Sequence, residues 1–172
     1  MNLSIIVPVY NSSKILKTLV KRIKTNLRTK NYEIIFINDA SLDNSWNEIK
    51  KISKKNKKVK GINLSENFGQ HSAIFAGLKY AKGKKIITMD DDLQHPPESI
   101  EDIMSKLNKH DLCYTIYLKR KHIFWKRSVS WVNNIFSSFL FNKPIHIYFS
   151  SFRGFDVKLL NQIVKDRNPI VF

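Results

Sequence analysis

Lys85-Ile86-Ile87-Thr88-Met89-Asp90-Asp91-Asp92-Leu93-Gln94-His95-Pro96-Pro97 is an apolar run that ends abruptly in three carboxylates, an amide and a double proline. Its first five residues read as a buried strand, so the acids stand where a strand leaves a sheet. Crowding three like charges costs free energy unless a cation relieves the repulsion. Hard divalent ions such as Mg²⁺ and Mn²⁺ take one or two carboxylates and fill their remaining positions with water and substrate phosphates. One reading of the run is therefore a metal–diphosphate site. The other is a solvated acidic turn in which Asp92 or Ser99 caps the following helix.

Strands and amphipathic helices alternate on both sides of this run. Leu3–Val9 is β-rich, and residues 13–27 carry Ile15, Leu16, Leu19, Val20 and Ile23 at helical spacing. Residues 33–38 form a second strand. Asp39-Ala40-Ser41-Leu42-Asp43 is a turn from which Ser41 or Asp43 can cap a helix bearing Trp46, Ile49 and Ile52. Strands over 59–64, 85–89 and 112–118 and helices over 69–81 and 97–108 complete the pattern. Near-continuous apolar strands separated by helices predict a single α/β domain, a mostly parallel Rossmann-like sheet with helices on both faces. Ligands of such sheets bind outside the carboxyl ends of the strands. Pro8-Val9-Tyr10-Asn11, Asn38-Asp39, Asn67-Phe68-Gly69-Gln70 and the acidic run all fall there. No Gly-x-Gly-x-x-Gly and no Gly-Lys-Ser/Thr is present, which weighs against dinucleotide dehydrogenases and P-loop NTPases.

The chain has 172 residues, enough for one well-cored domain, with 42% hydrophobic and 26% charged residues. Thirty Lys and Arg against fourteen Asp and Glu give a net charge of +16, which attracts nucleic acid, anionic lipid or phosphorylated substrates. Seven lysines between Lys50 and Lys60 have no aromatic among them, so a nucleic-acid-binding module is disfavoured. The single Cys113 forms no internal disulfide and is compatible with a reducing cytosol. Residues 1–10 lack the basic leader of a signal peptide, and no run reaches the roughly 18–20 apolar residues of a membrane span, so no integral membrane protein is expected.

Four segments together resemble the inverting glycosyltransferases of family 2, which have the GT-A fold: Val7-Pro8-Val9-Tyr10-Asn11, Ile37-Asn38-Asp39-Ala40-Ser41-Leu42-Asp43, Asn67-Phe68-Gly69-Gln70-His71-Ser72-Ala73, and Asp90 through Pro97. They cover residues 1 to about 110 in order and spacing. The last two resemble the polyprenyl-phosphate branch, which includes dolichyl-phosphate mannose synthases, bactoprenol glucosyltransferases and undecaprenyl-phosphate aminoarabinose transferases. The resemblance implies that Pro8, Tyr10, Asn11, Asp39, Gln70 and Asp90 hold a UDP- or GDP-type sugar donor. It implies Asp92, Gln94 and Asp90 as ligands of Mg²⁺ or Mn²⁺, with Asp92 catalytic through that metal. Asp91 is expected to point elsewhere. His71 is expected to be structural. For Tyr10 a half-buried strand end, and for Asp39 an Asx turn or helix cap, remain alternatives.

From Tyr117 the character changes. Lys119, Arg120, Lys121, Lys126 and Arg127 are basic, and Trp125, Val129, Val132, Phe136 and Phe139 recur at spacings of four, three, four and three. Such a helix can lie in a membrane interface or cover the sheet. By the resemblance, Arg120, Arg127 and Ser130 face a lipid-phosphate acceptor, and both arginines are catalytic. Tyr117 stands where the branch commonly has Arg. His146-Ile147-Tyr148-Phe149-Ser150-Ser151 offers no carboxylate as general base, which an already ionised phosphate nucleophile does not need and a sugar hydroxyl does. The expected division is thus a donor-binding core over 1–118 and an acceptor- and membrane-facing segment over 119–172. The apolar ending Asn168-Pro169-Ile170-Val171-Phe172 resembles an interrupted element, so a C-terminal truncation is expected. The expected activity is metal-dependent sugar transfer to a polyprenyl phosphate. Its expected place is the cytoplasmic face, peripheral on an anionic membrane. A cell-surface polysaccharide acceptor and a non-catalytic remnant are the alternatives.

Overall fold

The computed structural model describes residues 1–116 and 149–165. Six strands form one sheet: β1 (Leu3–Val9), β2 (Tyr32–Asn38), β3 (Val59–Asn63), β4 (Lys85–Thr88), β5 (Leu112–Ile116) and β6 (Phe149–Asp156), in the order β3-β2-β1-β4-β6-β5. The helices are α1 (Leu16–Asn26), α2 (Ser45–Lys55), α3 (Gln70–Leu78), α4 (Ile100–Lys106) and α5 (Val157–Lys165), with a 3₁₀ turn over Pro97–Ser99. Among the described residues, 1–113 and 151–165 belong to one compact unit, and 114–116 and 149–150 to a second. No described helix is long and apolar enough to cross a membrane.

The first four strands are mutually parallel, and every residue of β1 and β2 is buried. Alternate residues feed two cores. Leu3, Ile5, Val7 and Val9 pack with Leu19, Ile23, Ile49 and Ile103 on one face. On the other face Ile6, Ile35 and Ile37 pack with Ile74, Leu78 and Leu160. Burying each such side chain contributes about 1.5–3 kcal/mol. The α3 backbone approaches the sheet so closely that a Cβ on Gly77 would stand 2.6 Å from Ile37 and 2.7 Å from Ile6.

Pro8 belongs to a central strand, where its missing N–H would ordinarily break a ladder. Lys85 N–H and Met89 N–H bond to the Asn2 and Ile6 carbonyls, so even-numbered β1 residues face β4. The last β1–β4 pair is Ile6↔Thr88, and Pro8 falls just beyond it. The ladder therefore ends where the proline begins.

The sequence reading has five strands; the sheet has six. β6 runs antiparallel to β4, from Lys85↔Asp156 to Thr88↔Arg153. Its sequence, with a Ser pair and Arg153-Gly154, is not an apolar run, and it becomes a strand because β4 supplies the ladder. The Tyr117 position, the helix expected to carry Trp125 to Phe139, the expected acceptor-side residues Arg120, Arg127 and Ser130, and the ending 168–172 lie outside the described residues.

Candidate functional site

The loops leaving β1 and β2 are laced together. Asn11 Oδ1 accepts the Leu42 and Asp43 N–H groups at 2.8 and 3.3 Å, and Asn11 N–H donates to Ser41 Oγ at 3.0 Å. Ser13 N–H and Ser45 N–H both donate to the Asp43 carboxylate, at 3.0 and 2.9 Å. Burial opposes ionisation of Asp43, but these donors from Ser45 and Ser13 prevail and hold its pKa down at about 2. Asp43 thus anchors the start of α2 through Ser45, whereas Ser41 bonds back to Asn11. The chain reaches these loops through positive φ at Asn11 (55°), Ala40 (50°) and Leu93 (62°), residues following β1, β2 and β4. Left-handed backbone at non-glycine residues is unfavourable, and here it clusters on one rim of the sheet.

That rim surrounds a hollow of about 380 Å³. From β1 it is lined by Pro8, Val9 and Tyr10, and from the end of β2 by Asp39. Asn67, Gly69 and Gln70 at the start of α3 and Asp90, Asp91 and Asp92 after β4 complete the lining. Tyr10 is 48% exposed and offers an aromatic face. Asp39 is only 3% exposed, and its two oxygens accept the Phe68 and Gly69 N–H groups at 2.8 and 2.9 Å. It holds the α3 loop and keeps a second lone pair on each oxygen. Gly69 has φ 85° with open space around a hypothetical Cβ, so backbone conformation and not room selects glycine.

The acidic run is organised from behind. His95, 2% exposed, accepts the Asp90 N–H on Nδ1 at 2.8 Å, which places its proton on Nε2. Its ring stacks on Phe152 of β6 at 5.1 Å. Burial lowers the His95 pKa against the pull of Asp90 and Asp92, so it is a neutral imidazole at pH 7. The Asp90 carboxylate accepts Gln70 Nε2 at 2.5 Å and Ser151 Oγ at 2.7 Å. Asp91 Oδ2 accepts Tyr10 N–H at 3.3 Å, and Asp92 Oδ1 accepts Gln94 N–H at 2.9 Å. Burial pushes the Asp91 carboxyl above its ordinary range, and the charges of Asp92 and Asp90 push it further, against hydrogen bonds from Ser12 and Tyr10.

The sequence-predicted residues Pro8, Tyr10, Asp39, Gln70, Asp90 and Asp92 therefore meet at one hollow. Asp91, expected to point elsewhere, lines it too, because the turn through Leu93 brings the run back toward Tyr10. The carboxamide of Asn11 is engaged by the neighbouring loop, and Asn11 is not part of the lining. Gln94 also stays outside it: the Asx turn at Asp92 presents the Gln94 N–H, and the residue is exposed. Neither Asp92 nor Ser99 caps the helix after the run, since neither the 3₁₀ turn nor α4 has a side-chain cap bond. His71 is exposed in the first turn of α3, which likewise has no side-chain cap. Two residues that the sequence reading gave no role support the site: His95, which lies inside the quoted run 90–97, and Ser151, on an unanticipated strand.

Among the described residues no group of three or more His, Cys, Asp or Glu side chains could hold a metal ion unaided. The donor set still fits a hard divalent ion shared with a diphosphate, which needs only one or two carboxylates. Asp90, Asp91 and Asp92 bring carboxylate oxygens to one hollow, and their mutual repulsion is what such an ion would relieve.

A family model described as glycosyl transferase family 2 matches residues 4–164. The chain is 36% identical over 174 residues to the uncharacterized glycosyltransferase YkcC of Bacillus subtilis (strain 168), covering 98% of this chain and 54% of that protein. The chain thus spans about half the length of this curated relative. Among solved structures it is similar to a glucosyl-3-phosphoglycerate synthase from Mycobacterium tuberculosis in complex with Mn²⁺, UDP and glucosyl-3-phosphoglycerate. The TM-score is 0.70 at 14% identity, over 92% of this chain and 57% of that one. It is also similar to the mannosyltransferase PcManGT from Pyrobaculum calidifontis in complex with GDP-Man and Mn²⁺, with a TM-score of 0.66 at 16% identity, over 94% and 46%. The sheet order, the hollow at its carboxyl rim and a match running from β1 into α5 have one common account: the chain belongs to glycosyl transferase family 2 and has the GT-A fold.

Proposed function

We propose that the chain is the donor-binding domain of a metal-dependent inverting glycosyltransferase that moves a sugar from a UDP- or GDP-type donor to a polyprenyl phosphate. The observation that carries the reading is the convergence of Tyr10, Asp39, Asp91 and Asp92 on one hollow. Tyr10 supplies a stacking face for the base, and Asp39 has lone pairs for a base N–H. Asp90 and Asp92 would hold the cation against the diphosphate, and Asp91 lines the same hollow. When bound, Mg²⁺ or Mn²⁺ acts as a Lewis acid on the departing nucleoside diphosphate. The acceptor phosphate oxygen forms the new bond at the anomeric carbon as the bond to the diphosphate breaks on the opposite face, inverting the centre.

Mn²⁺ with UDP in the mycobacterial enzyme and with GDP-Man in the archaeal one supports the cofactor and the donor class. The polyprenyl-phosphate acceptor rests on the sequence: the Gln70 and Asp90–Pro97 segments resemble that branch, and the stretch before Phe152-Arg153 has no carboxylate to deprotonate a sugar hydroxyl. Arg120, Arg127 and Ser130 are the proposed contacts to the acceptor. A peripheral position on the anionic cytoplasmic membrane face follows from that acceptor and the +16 charge.

Calorimetric titration of the full chain with UDP, GDP and their sugars, with and without Mn²⁺, tests the donor reading. Metal-dependent binding of one series is expected, and binding of neither overturns it. Incubation of the bound donor with polyprenyl phosphate or with a polysaccharide acceptor then separates the two acceptor classes.

A further inference from the structure

Helices α1 and α2 pack on the same face of the sheet and touch each other, and their outward sides carry lysine with almost no acid. On α1, Lys17, Lys21 and Lys24 are exposed at spacings of four and three, opposite the buried Leu16, Leu19 and Ile23. On α2, Lys50, Lys51, Lys54 and Lys55 are exposed, opposite Ile49 and Ile52. Glu48 is the one carboxylate of the two helices. It is 9% exposed in their seam, where its oxygens meet Lys17 Nζ at 3.0 Å and Lys51 Nζ at 2.8 Å. Lys21, Lys24, Lys54 and Lys55 have no ion-pair partner among the described residues. Like charges three and four residues apart destabilise a helix, so this face gains when an outside anion covers it.

Leu42, three residues before α2 at the carboxyl rim, is 89% exposed, the most exposed large apolar side chain among the described residues. Asn11 Oδ1 holds its N–H at 2.8 Å. We propose that the α1–α2 face, with Leu42 at its rim end, docks on an anionic bilayer surface. The leaflet's negative potential draws the lysines, and Leu42 enters the acyl boundary, which joins the two signals that stable interfacial binding needs. A polynucleotide fits less well: the one aromatic of the two helices, Trp46, packs against the core, and a phosphodiester backbone offers Leu42 nothing apolar. The inference rests on the membrane-lipid acceptor proposed above and deepens it, by naming a surface separate in sequence from the segment 119–139.

The test measures partition of the full chain onto phosphatidylcholine vesicles with and without phosphatidylglycerol. The variants are K21Q/K24Q/K54Q/K55Q, its all-arginine counterpart, L42S and K119Q/K121Q/K126Q, each checked for unchanged nucleotide affinity by calorimetry. Wild type is expected to bind only the anionic vesicles and to lose binding between about 0.1 and about 1 M salt. The glutamine variant is expected to bind about a hundredfold more weakly, the arginine variant like wild type, and L42S about tenfold more weakly. Full binding by the glutamine variant, with loss in K119Q/K121Q/K126Q, overturns the inference and moves the membrane contact to the later segment. Tighter binding of duplex DNA than of anionic vesicles, lost in the glutamine variant, overturns it in favour of nucleic acid. Undiminished binding by L42S overturns the part given to the leucine. No vesicle binding by wild type overturns the docking face and the membrane placement together, while calorimetry still judges the donor reading separately.

Discussion

At the amino edge of the sheet Glu33 is fully buried, and at the carboxyl edge Asp91 and Asp92 face a hollow; the two places treat negative charge in opposite ways. Glu33 Oε1 accepts Ser4 Oγ at 2.7 Å and Lys82 N–H at 2.8 Å, while Oε2 accepts Lys60 Nζ at 2.6 Å. Ser4 Oγ in turn accepts Gly83 N–H at 2.8 Å. Burial would raise the Glu33 pKa, but Lys60, Ser4 and Lys82 overcome it and hold the carboxyl below its usual range. This carboxylate is complete within the protein and joins β1, β2, β3 and the approach to β4. The acids at the other edge have fewer donors and closer like charges, and burial pushes Asp91 upward. One carboxylate is part of the fold; the others face a hollow that a cation would complete in the proposed reading.

The contrast breaks most sharply through Asp92. Asp92→Ala is expected to lower metal-dependent release of nucleoside diphosphate about 10²–10³-fold, the scale of losing a major transition-state electrostatic contact. Its thermal unfolding should remain at or slightly above wild type, because repulsion is relieved. Loss of activity accompanied by unfolding would make Asp92 a structural acid like Glu33. Glu33→Ala is the mirror experiment: about 2 kcal/mol of stability should be lost in urea unfolding, as for leaving the Ser4 hydroxyl and Lys82 N–H without their acceptor, with nucleotide affinity of the folded protein unchanged.

A pH series sharpens the same point. Glu33 has its folded pKa below the ordinary carboxyl value of 4.5, so its contribution is complete above about pH 4.5. That contribution is lost as pH falls through the lower folded value. Glu33→Gln should flatten the acid limb of stability against pH below 4.5, measured by denaturant midpoints. The smallest effect is expected at Asp91: Asp91→Asn should raise the melting temperature by about 1–2 °C in metal-free buffer through reduced crowding. It should also diminish the further rise produced by Mn²⁺ with UDP or GDP. A lowered melting temperature would show that Asp91 is held by the protein and not waiting for a cation.

Much of this was readable along the chain. The apolar runs at β1, β2 and β4 and the loop residues that follow them predict a parallel sheet with a carboxyl-edge site, because strand burial on two faces and the placement of loops both leave periodic local signals. Tyr10, Asp39, Asp90 and Asp92, which line the hollow, were readable as candidates for that reason. The duties within the acidic run were not, since adjacent Asp residues are chemically identical until a fold surrounds them.

Residue type and spacing were sufficient for the class of fold, the family resemblance and the edge at which chemistry occurs, as these depend on contacts local to each strand and loop. The insertion of β6 beside β4 and the Ser151 support arise from hydrogen bonds across the sheet, whereas His95 reaches Asp90 from five residues away and Asp91 turns into the hollow through the left-handed Leu93. Ser151 and Asp90 stand 61 residues apart. No short-range pattern records a pairing over that distance, because its free energy exists only once the strands that carry both partners are side by side.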